Sequence, residues 1–205
     1  MPLRAPGAGM TRLATALAPD ARARLARAML TDVVSALVAA RVDEVRVAAD
    51  GDRASDAAHE AGATVVLDPS GSHDLDAVLR AAASDLRGEH VLVVPADLPR
   101  LRADDVRAVL ETPADVVVAP TAAGGTGGLL RRPVGRIPTA YGPDSARRHR
   151  ELAERAGASL AIVDRDGFHH DVDTWTDLAA LHEVELGQET ARVLPQLLGR
   201  AAAVG

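Results

Sequence analysis

The sequence has no cysteine, no lysine and very few aromatic residues: one Trp, one Tyr and one Phe in 205 residues. The absence of cysteine excludes disulfides, thiolate nucleophiles and thiolate metal ligands. The absence of lysine excludes any mechanism that needs a lysine amine as nucleophile or Schiff-base former. All 23 basic side chains are arginine, so a side-chain cation that holds a phosphate here must be a planar guanidinium.

Long apolar runs are also missing. A membrane span would need about 18 consecutive apolar residues, and the first residues contain no apolar core of signal-peptide length. These observations predict a cytoplasmic protein that does not bind a membrane. The formal net charge of −6 argues against a nucleic-acid partner, which would favour a basic face. It leaves room for a small anionic substrate held by a few local cations.

Short apolar runs rich in β-branched residues alternate with longer Ala/Arg/Leu-rich segments of helical spacing. Continuously apolar runs indicate strands covered on both faces, as in a parallel sheet between helices. The alternation predicts an α/β fold, a Rossmann-like and mostly parallel open sheet with helices on both faces. We expect a single domain over residues 1–205. The predicted strands are 44–49, 64–67, 90–95, 115–119 and 160–163, and the predicted helices are 20–40, 54–62, 75–86, 102–111, 145–157 and 175–187.

Local signals mark the expected ends of these elements. Asp20, Asp74 and Thr174 are candidate helix N-caps, and Gly62 and Gly157 stand where helices should end. Only residues 1–4 precede the first glycine-rich loop, so the first strand is expected to be truncated. The Ala/Gly-rich tail, residues 197–205, is expected to fray.

In an open parallel sheet, ligands bind beyond the carboxyl ends of the strands, and a glycine-rich loop near the N-terminus suits that role. Gly7 and Gly9 would let backbone N–H groups approach a triphosphate, with Thr11 and the start of a helix nearby. Arg12 could add a charge-assisted fork to the same phosphates. The alternative is a flexible N-terminal loop without a ligand.

Acidic residues stand at two predicted strand ends. Asp97 follows an apolar strand and lies between two prolines, while Asp171 and Asp173 share one side of an extended segment. Carboxylates are hard oxygen ligands that suit Mg²⁺, so these three are candidate metal ligands. The alternatives are a turn aspartate at position 97 and a solvated strand end with Asp173 as a helix cap. His169 and His170 are adjacent, and neighbouring side chains usually point to opposite faces, so we leave them outside the site.

Two further segments could bind an anion. A glycine cluster spans residues 123–130, around Thr126, and a helix start follows Gly142 and Ser145. Both present backbone or hydroxyl donors. The alternatives are a hairpin for the first segment and an N-capped helix for the second, with Asp144 or Ser145 at the cap.

Taken in order, these motifs resemble a known family. The series is G-x-T-R-L, A-M-L-x-D-V at 28–33, D-P at 68–69, P-A-D-L-P, G-G-T, Y-G-P-D-S-A-R-R-H and D-V-D-T. It resembles the phospholactate/phosphoenolpyruvate guanylyltransferases of deazaflavin coenzyme F(420) biosynthesis, from about residue 2 to about residue 182. That family is similar in fold to nucleotidyltransferases of the glycosyltransferase-A, or nucleotide-diphospho-sugar transferase, type.

The resemblance implies an activity and a set of roles. The family joins GMP from GTP to the phosphate of a three-carbon acid, phosphoenolpyruvate or 2-phospho-L-lactate, and releases pyrophosphate. Asp97 and Arg12 would then be catalytic. The acid and GTP would bind at two different groups of residues. The implied positions are Asp97, Asp171 and Asp173 for Mg²⁺, Thr126, Gly142 and Ser145 for the acid, and Gly7, Gly9, Thr11, Arg12 and Asp76 for the nucleotide.

The sequence also departs from the family pattern on the nucleotide side. Met10 stands where the family has Lys, and Asp76 stands where it has Asn. Two alternatives therefore stay open: a divergent nucleotidyltransferase with another nucleotide or acceptor, and a non-catalytic binding paralogue. The lone Trp175 and the alanine-rich helix faces could pack in the interface of a homodimer as well as in the core.

Overall fold

The computed structural model describes residues 3–4, 11–50, 52–67, 74–86, 88–181 and 184–201, which form an α/β arrangement. The strands in these ranges are β1 Leu3–Arg4, β2 Arg46–Asp50, β3 Thr64–Leu67, β4 Val91–Val93, β5 Val116–Pro120, β6 Thr126–Arg131 and β7 Leu160–Ile162. The α-helices are α1 Pro19–Ala39, α2 Asp52–Glu60, α3 Leu75–Ala82, α4 Ala103–Glu111, α5 Ser145–Arg155, α6 Trp175–Ala180 and α7 Gln188–Ala201.

The described strands form two sheets. One is parallel, in the order β1-β2-β3, and the other has the order β4-β6-β5-β7. In the second sheet β5 and β7 are parallel, whereas β6 is antiparallel to both β4 and β5. The predicted mostly parallel α/β fold is therefore confirmed, but the single open sheet that we expected is divided, and one of its strands is reversed.

β6 is the strand that the sequence did not predict. Its segment contains two glycines, which disfavour strands because they have no side chain to pack. Here the glycines are needed, because Phe168 comes very close to them. A Cβ on Gly127 would lie 2.5 Å from the Phe168 carbonyl oxygen, and one on Gly128 would lie 3.0 Å from the Phe168 ring. The strand can form here only because it lacks side chains at these two positions.

Helices cover both faces of the second sheet, as predicted. The β5 residues Val116 to Ala119 are fully buried, and alternate side chains enter different cores. Val117 and Ala119 pack in a cluster with residues of α1 and α4. Val116 and Val118 pack in another cluster with Ala146 and Ala153 of α5.

Several predicted element ends are confirmed and others shift. Asp74 caps α3 through its side chain, and Thr174 forms a capping box with Asp177 at the start of α6. The prediction of Asp20 as an N-cap is wrong, because α1 already begins at Pro19. Proline is favoured at a first helical position, where its missing N–H has no partner to lose. No α-helix in the described ranges is long and apolar enough to cross a membrane.

The C-terminal part of the chain is more ordered than predicted. α6 ends at Ala180 instead of residue 187, and a further helix, α7, follows. The expectation of a frayed tail from Leu197 is wrong for its first part, since Leu197 is buried and α7 continues to Ala201. Residues 202–205 lie outside the described ranges.

Asp32 of α1 holds the start of α7. Its two carboxylate oxygens accept hydrogen bonds from the backbone N–H groups of Glu189, at 2.9 Å, and Thr190, at 2.8 Å. Those N–H groups lie in the first turn of α7, where a helix leaves donors without internal partners and favours a negative charge. The aspartate of the A-M-L-x-D-V motif therefore has a structural role.

We predict that Asp32→Ala lowers the free energy of unfolding by about 2–3 kcal/mol, because one buried and one part-buried charge-assisted hydrogen bond are lost. Urea denaturation measures the change. The matched control is Asp43→Ala at an exposed loop aspartate, which should change stability by less than about 0.5 kcal/mol. Equal effects of the two substitutions would show that Asp32 does not anchor α7.

Candidate active site

One backbone hydrogen bond brings the two predicted acidic motifs together. The Val172 N–H donates to the Asp97 carbonyl oxygen at 3.1 Å. Val172 lies between Asp171 and Asp173 in the chain, so this bond places both carboxylates beside the segment that carries Asp97. The fold thus brings together residues that are more than 70 positions apart in the sequence.

The Asp97 carboxylate is buried, and one of its oxygens has no hydrogen-bond partner among the described residues. The residue is only 6% exposed, and the oxygen in question is Oδ1. Burial raises the pKa of Asp97 to about 6, and repulsion from Asp171 and Asp173 adds to the rise. Burial also raises the pKa of Asp171, with Asp173 and Asp177 contributing. Such a group of mutually repelling carboxylates favours the binding of a cation.

The donor set fits a hard divalent ion, but the three carboxylates do not surround a common point in this conformation. Oxygens that share one Mg²⁺ at about 2.1 Å cannot lie more than about 4.2 Å apart. Within the described ranges, the group of three candidate ligands whose atoms all lie within 4.8 Å of one another is Asp166, His169 and His170. The oxygens of Asp97, Asp171 and Asp173 therefore need side-chain rotation to converge on one ion.

Arg12 connects the N-terminal segment to the acidic group. Its Nη1 lies 3.7 Å from Asp173 Oδ2, and the guanidinium is largely exposed. Arg12 belongs to a short 3₁₀ helix, Thr11–Leu13, whose Leu13 is fully buried. Gly7 and Gly9, which we predicted to contact the nucleotide, lie outside the described residues. The position of Arg12 leaves its charge available at the rim of the carboxylates.

The loop between β5 and β6 joins the acidic group to the predicted acid site. Ala122 N–H donates to the His169 carbonyl oxygen at 2.9 Å, two residues before Asp171. At the other side, Ala146 N–H in α5 donates to the Gly124 carbonyl oxygen at 3.3 Å. One loop therefore links the segment that carries the aspartates to the start of α5.

Thr126 begins β6 at the same edge of the sheet as Asp97. β4 and β6 run antiparallel, with Val93 opposite Leu129. Thr126 lies three residues before Leu129, and Asp97 lies four residues after Val93. Because the strands run in opposite directions, both residues lie beyond the same end of β4.

Gly142 and Ser145 lie at the start of α5, as predicted. Gly142 has φ +109°, and a Cβ there would lie 3.1 Å from Arg148 Nη2. Asp144 occupies the N-cap position, but its side chain makes no capping hydrogen bond. Ser145 is buried. The turn therefore requires glycine, and it brings the backbone close to a guanidinium.

Asp76 touches this turn and stands apart from the described acidic group. Its Oδ1 accepts a hydrogen bond from the Tyr141 backbone N–H at 3.2 Å. The carboxylate thereby ties α3 to the residue that precedes Gly142. The role of Asp76 toward a nucleotide stays a prediction.

A group of polar side chains that sequence patterns did not predict lies behind the predicted acid site. Arg148 Nη2 donates to the Tyr141 carbonyl oxygen at 2.7 Å, and the rings of Tyr141 and His149 meet edge to face at 5.1 Å. His149 is fully buried. Arg131 is also buried, and this burial lowers the pKa of its guanidinium. The sequence signal for Arg148 and His149 was the R-R-H end of the Y-G-P-D-S-A-R-R-H motif. Sequence periodicity alone assigns this segment to the helix and gives it no further role.

A cavity of about 610 Å³ lies between β2, the central strand of the first sheet, and β4, an edge strand of the second. Its described lining includes Leu30, Val34, Val47 and Leu92, and none of the predicted site residues that the structure describes. The cavity is a space between the two sheets, and the candidate site is the edge that carries the aspartates.

The fold of the chain is similar to that of solved transferase structures. A protein from Desulfovibrio desulfuricans G20, provisionally classed as a nucleotide-diphospho-sugar transferase, superposes with a TM-score of 0.71 at 20% identity, over 98% of this chain and 93% of that one. A nucleotidyl transferase from Methanothermobacter gives a TM-score of 0.58 at 19% identity, over 84% and 81%. At these sequence identities the structural similarity shows the fold alone. It confirms the predicted fold of the nucleotide-diphospho-sugar transferase type.

Sequence comparison defines the family. The profile described as "Guanylyl transferase CofC like" matches residues 1–195, and the chain belongs to this family. It is 37% identical to a phosphoenolpyruvate guanylyltransferase of Nocardia farcinica, over 90% of this chain and 84% of the relative. It is 34% identical to a 3-phospho-D-glycerate guanylyltransferase of Phenylobacterium zucineum (93% and 91%) and 36% identical to a 2-phospho-L-lactate guanylyltransferase of Haloarcula marismortui (82% and 77%). The enzyme class is nucleotidyltransferase.

We predict that Asp97→Asn stabilises the protein in the absence of ligand at pH 7.5, by on the order of 1–2 kcal/mol, because the buried charge is removed. The folded-state pKa of Asp97 lies near 6, above its ordinary value of 3.8. Asp97 therefore contributes stability below pH 4 that is lost as the pH rises through 6, and the Asn variant should lack this pH dependence.

Denaturant unfolding between pH 4 and 8 in the presence of a chelator measures both effects. Asp104→Asn, at an exposed aspartate of α4, is the control. A variant at position 97 that is less stable at pH 7.5 and keeps the wild-type pH slope would contradict the burial argument.

Proposed function

We propose that the protein transfers GMP from GTP to the phosphate of a small phosphorylated acid and releases pyrophosphate. An oxygen of the acid's phosphate attacks the α-phosphorus of GTP, and the bond between the α-phosphorus and the bridging oxygen to the β-phosphate breaks. A phosphoanhydride forms between GMP and the acid. The observation that carries this proposal is the hydrogen bond from Val172 to Asp97, which brings three aspartates to one edge of the sheet.

The reaction joins two polyanions, so the site must neutralise charge. The described part of the site is itself acidic, and the buried Asp97 Oδ1 has no hydrogen-bond partner among the residues that the structure describes. Asp97, Asp171 and Asp173 would hold Mg²⁺, which would supply the positive charge that lets the two anions approach. Nucleotidyl transfer needs positioning and charge neutralisation more than covalent help from the protein.

Other residues near the aspartates are assigned to the two substrates. We assign the acid to the surface formed by Thr126, the Gly142 turn and Ser145, because one loop connects these residues to the aspartates. Arg12 stands at the rim of the carboxylates, 3.7 Å from Asp173. A triphosphate that enters there can recruit this guanidinium and release it from the aspartate.

The acceptor is a phosphorylated three-carbon acid in this proposal. The similar proteins are named for phosphoenolpyruvate, 3-phospho-D-glycerate and 2-phospho-L-lactate. These molecules share a carboxylate and a phosphate on a three-carbon skeleton. Phosphoenolpyruvate is the leading candidate because three of the most similar relatives carry that name. The proposal also includes GTP as the donor, a role in coenzyme F(420) biosynthesis, a cytoplasmic location and a homodimer.

The test is pyrophosphate release by the purified protein with GTP, Mg²⁺ and each of the three acids, with mass spectrometry of the product. Asp171→Asn and Asp173→Asn should each lower kcat/KM roughly 100-fold or more, because each removes a ligand of the proposed cation. Removal of Mg²⁺ by a chelator should abolish the reaction, and added Mg²⁺ should restore it.

Asp166→Asn is the matched control, because it changes an aspartate of the neighbouring group that contains His169 and His170. It should retain activity within about threefold, as expected for an exposed surface charge. The proposal fails if no acid releases pyrophosphate, or if Asp166→Asn loses activity while Asp173→Asn keeps it.

A further inference from the structure

A buried histidine lies directly behind the proposed acid site. His149 of α5 is fully buried. Its Nδ1 lies 2.9 Å from Thr126 Oγ1, and its Nε2 lies 2.9 Å from the backbone nitrogen of Ala140. The imidazole thus bridges the first residue of β6 and the loop that leads to Gly142.

The contact with Ala140 fixes the tautomer of the ring. A backbone N–H can only donate, so His149 Nε2 must be the acceptor. A neutral imidazole then carries its proton on Nδ1. Burial lowers the pKa of His149 to about 4, so the ring is neutral at neutral pH.

The tautomer in turn fixes the role of the Thr126 hydroxyl. Because Nδ1 carries the proton, His149 donates to Thr126 Oγ1. A hydroxyl that accepts this bond still has its own O–H to donate. The structure gives the Thr126 side chain no other hydrogen-bond partner within the described ranges. The O–H therefore points away from His149 and needs an acceptor.

We propose that His149 is a positioning residue that directs the Thr126 hydroxyl to donate a hydrogen bond to an anionic oxygen of the acid acceptor. This inference rests on the proposed function, which places the acid at Thr126. Both the phosphate and the carboxylate of an ionised phosphorylated acid offer acceptors, so a hydroxyl whose proton is directed away from His149 is matched to them. The same ring holds the loop before Gly142, so one side chain orients two parts of the acid surface.

Two variants separate the two hydrogen bonds of His149. The side-chain amide nitrogen of His149→Asn can reach the position of Nδ1 and donate to Thr126, but it leaves Ala140 without a partner. The amide oxygen of His149→Gln can reach the position of Nε2 and accept from Ala140, but it leaves Thr126 without its donor. We expect the KM for the acid to rise about tenfold in the Gln variant, as for the loss of one directed hydrogen bond to a charged group.

The Asn variant should keep the KM for the acid within about threefold of the wild-type value. The KM for GTP should change less than about twofold in both, since the nucleotide is bound elsewhere. A merely structural role would raise both KM values together, in step with the loss of thermal stability in each variant. Equal increases in the KM for the acid, or a larger increase in the Asn variant, would overturn the proposal.

The tautomer can also be observed without any substrate. Long-range ¹H–¹⁵N correlation spectra distinguish an imidazole protonated on Nδ1 from one protonated on Nε2, and the His149 signals are assigned by their loss in the Asn variant. We expect the Nδ1-protonated ring from pH 6 to pH 8. An Nε2-protonated ring or an imidazolium at pH 7 would overturn this inference alone. Absence of GMP transfer by the wild-type protein would instead overturn the proposed function, and with it the ligand assigned to Thr126.

Discussion

The site depends on the backbone hydrogen bond from Val172 to the carbonyl oxygen of Asp97. It joins the segment after β4 to the segment before α6, and it sets carboxylates next to one another at the edge of the sheet. This arrangement disfavours the ligand-free state, because Asp97 is buried and its Oδ1 lacks a partner among the described residues. A fold that keeps such a group stores unfavourable electrostatic energy, which a bound cation would relieve.

The reversed strand β6 supplies the second half of the site. Because β6 runs against β4, its first residue, Thr126, lies at the edge where β4 ends. The glycine-rich loop before it reaches the aspartates on one side, through His169, and α5 on the other, through Ala146. The proposed acid surface and the acidic group are therefore parts of one connected edge, although their residues come from distant segments.

Sequence patterns predicted some parts of this structure and could not predict others. β5 was predicted because its buried residues are continuously apolar, and the carboxylates were predicted because parallel strands end at a common edge. β6 was missed because the need for Gly127 and Gly128 arises from the approach of Phe168, which sequence does not reveal. Asp32 was part of a motif, but its role as a cap for α7 requires a contact over 150 residues. The bridging role of His149 depends in the same way on two contacts made in the folded chain.

In the proposed enzyme, Asp97, Asp171 and Asp173 converge on one divalent cation. Crystals of the protein grown with GTP and Mn²⁺ test it most directly, because anomalous scattering locates the manganese without a prior assumption about its ligands. We expect an anomalous peak within about 2.3 Å of an oxygen from each of the three aspartates, as for a hard divalent ion held by carboxylates. A peak held by Asp166, His169 and His170, with the three aspartates left apart, would contradict it.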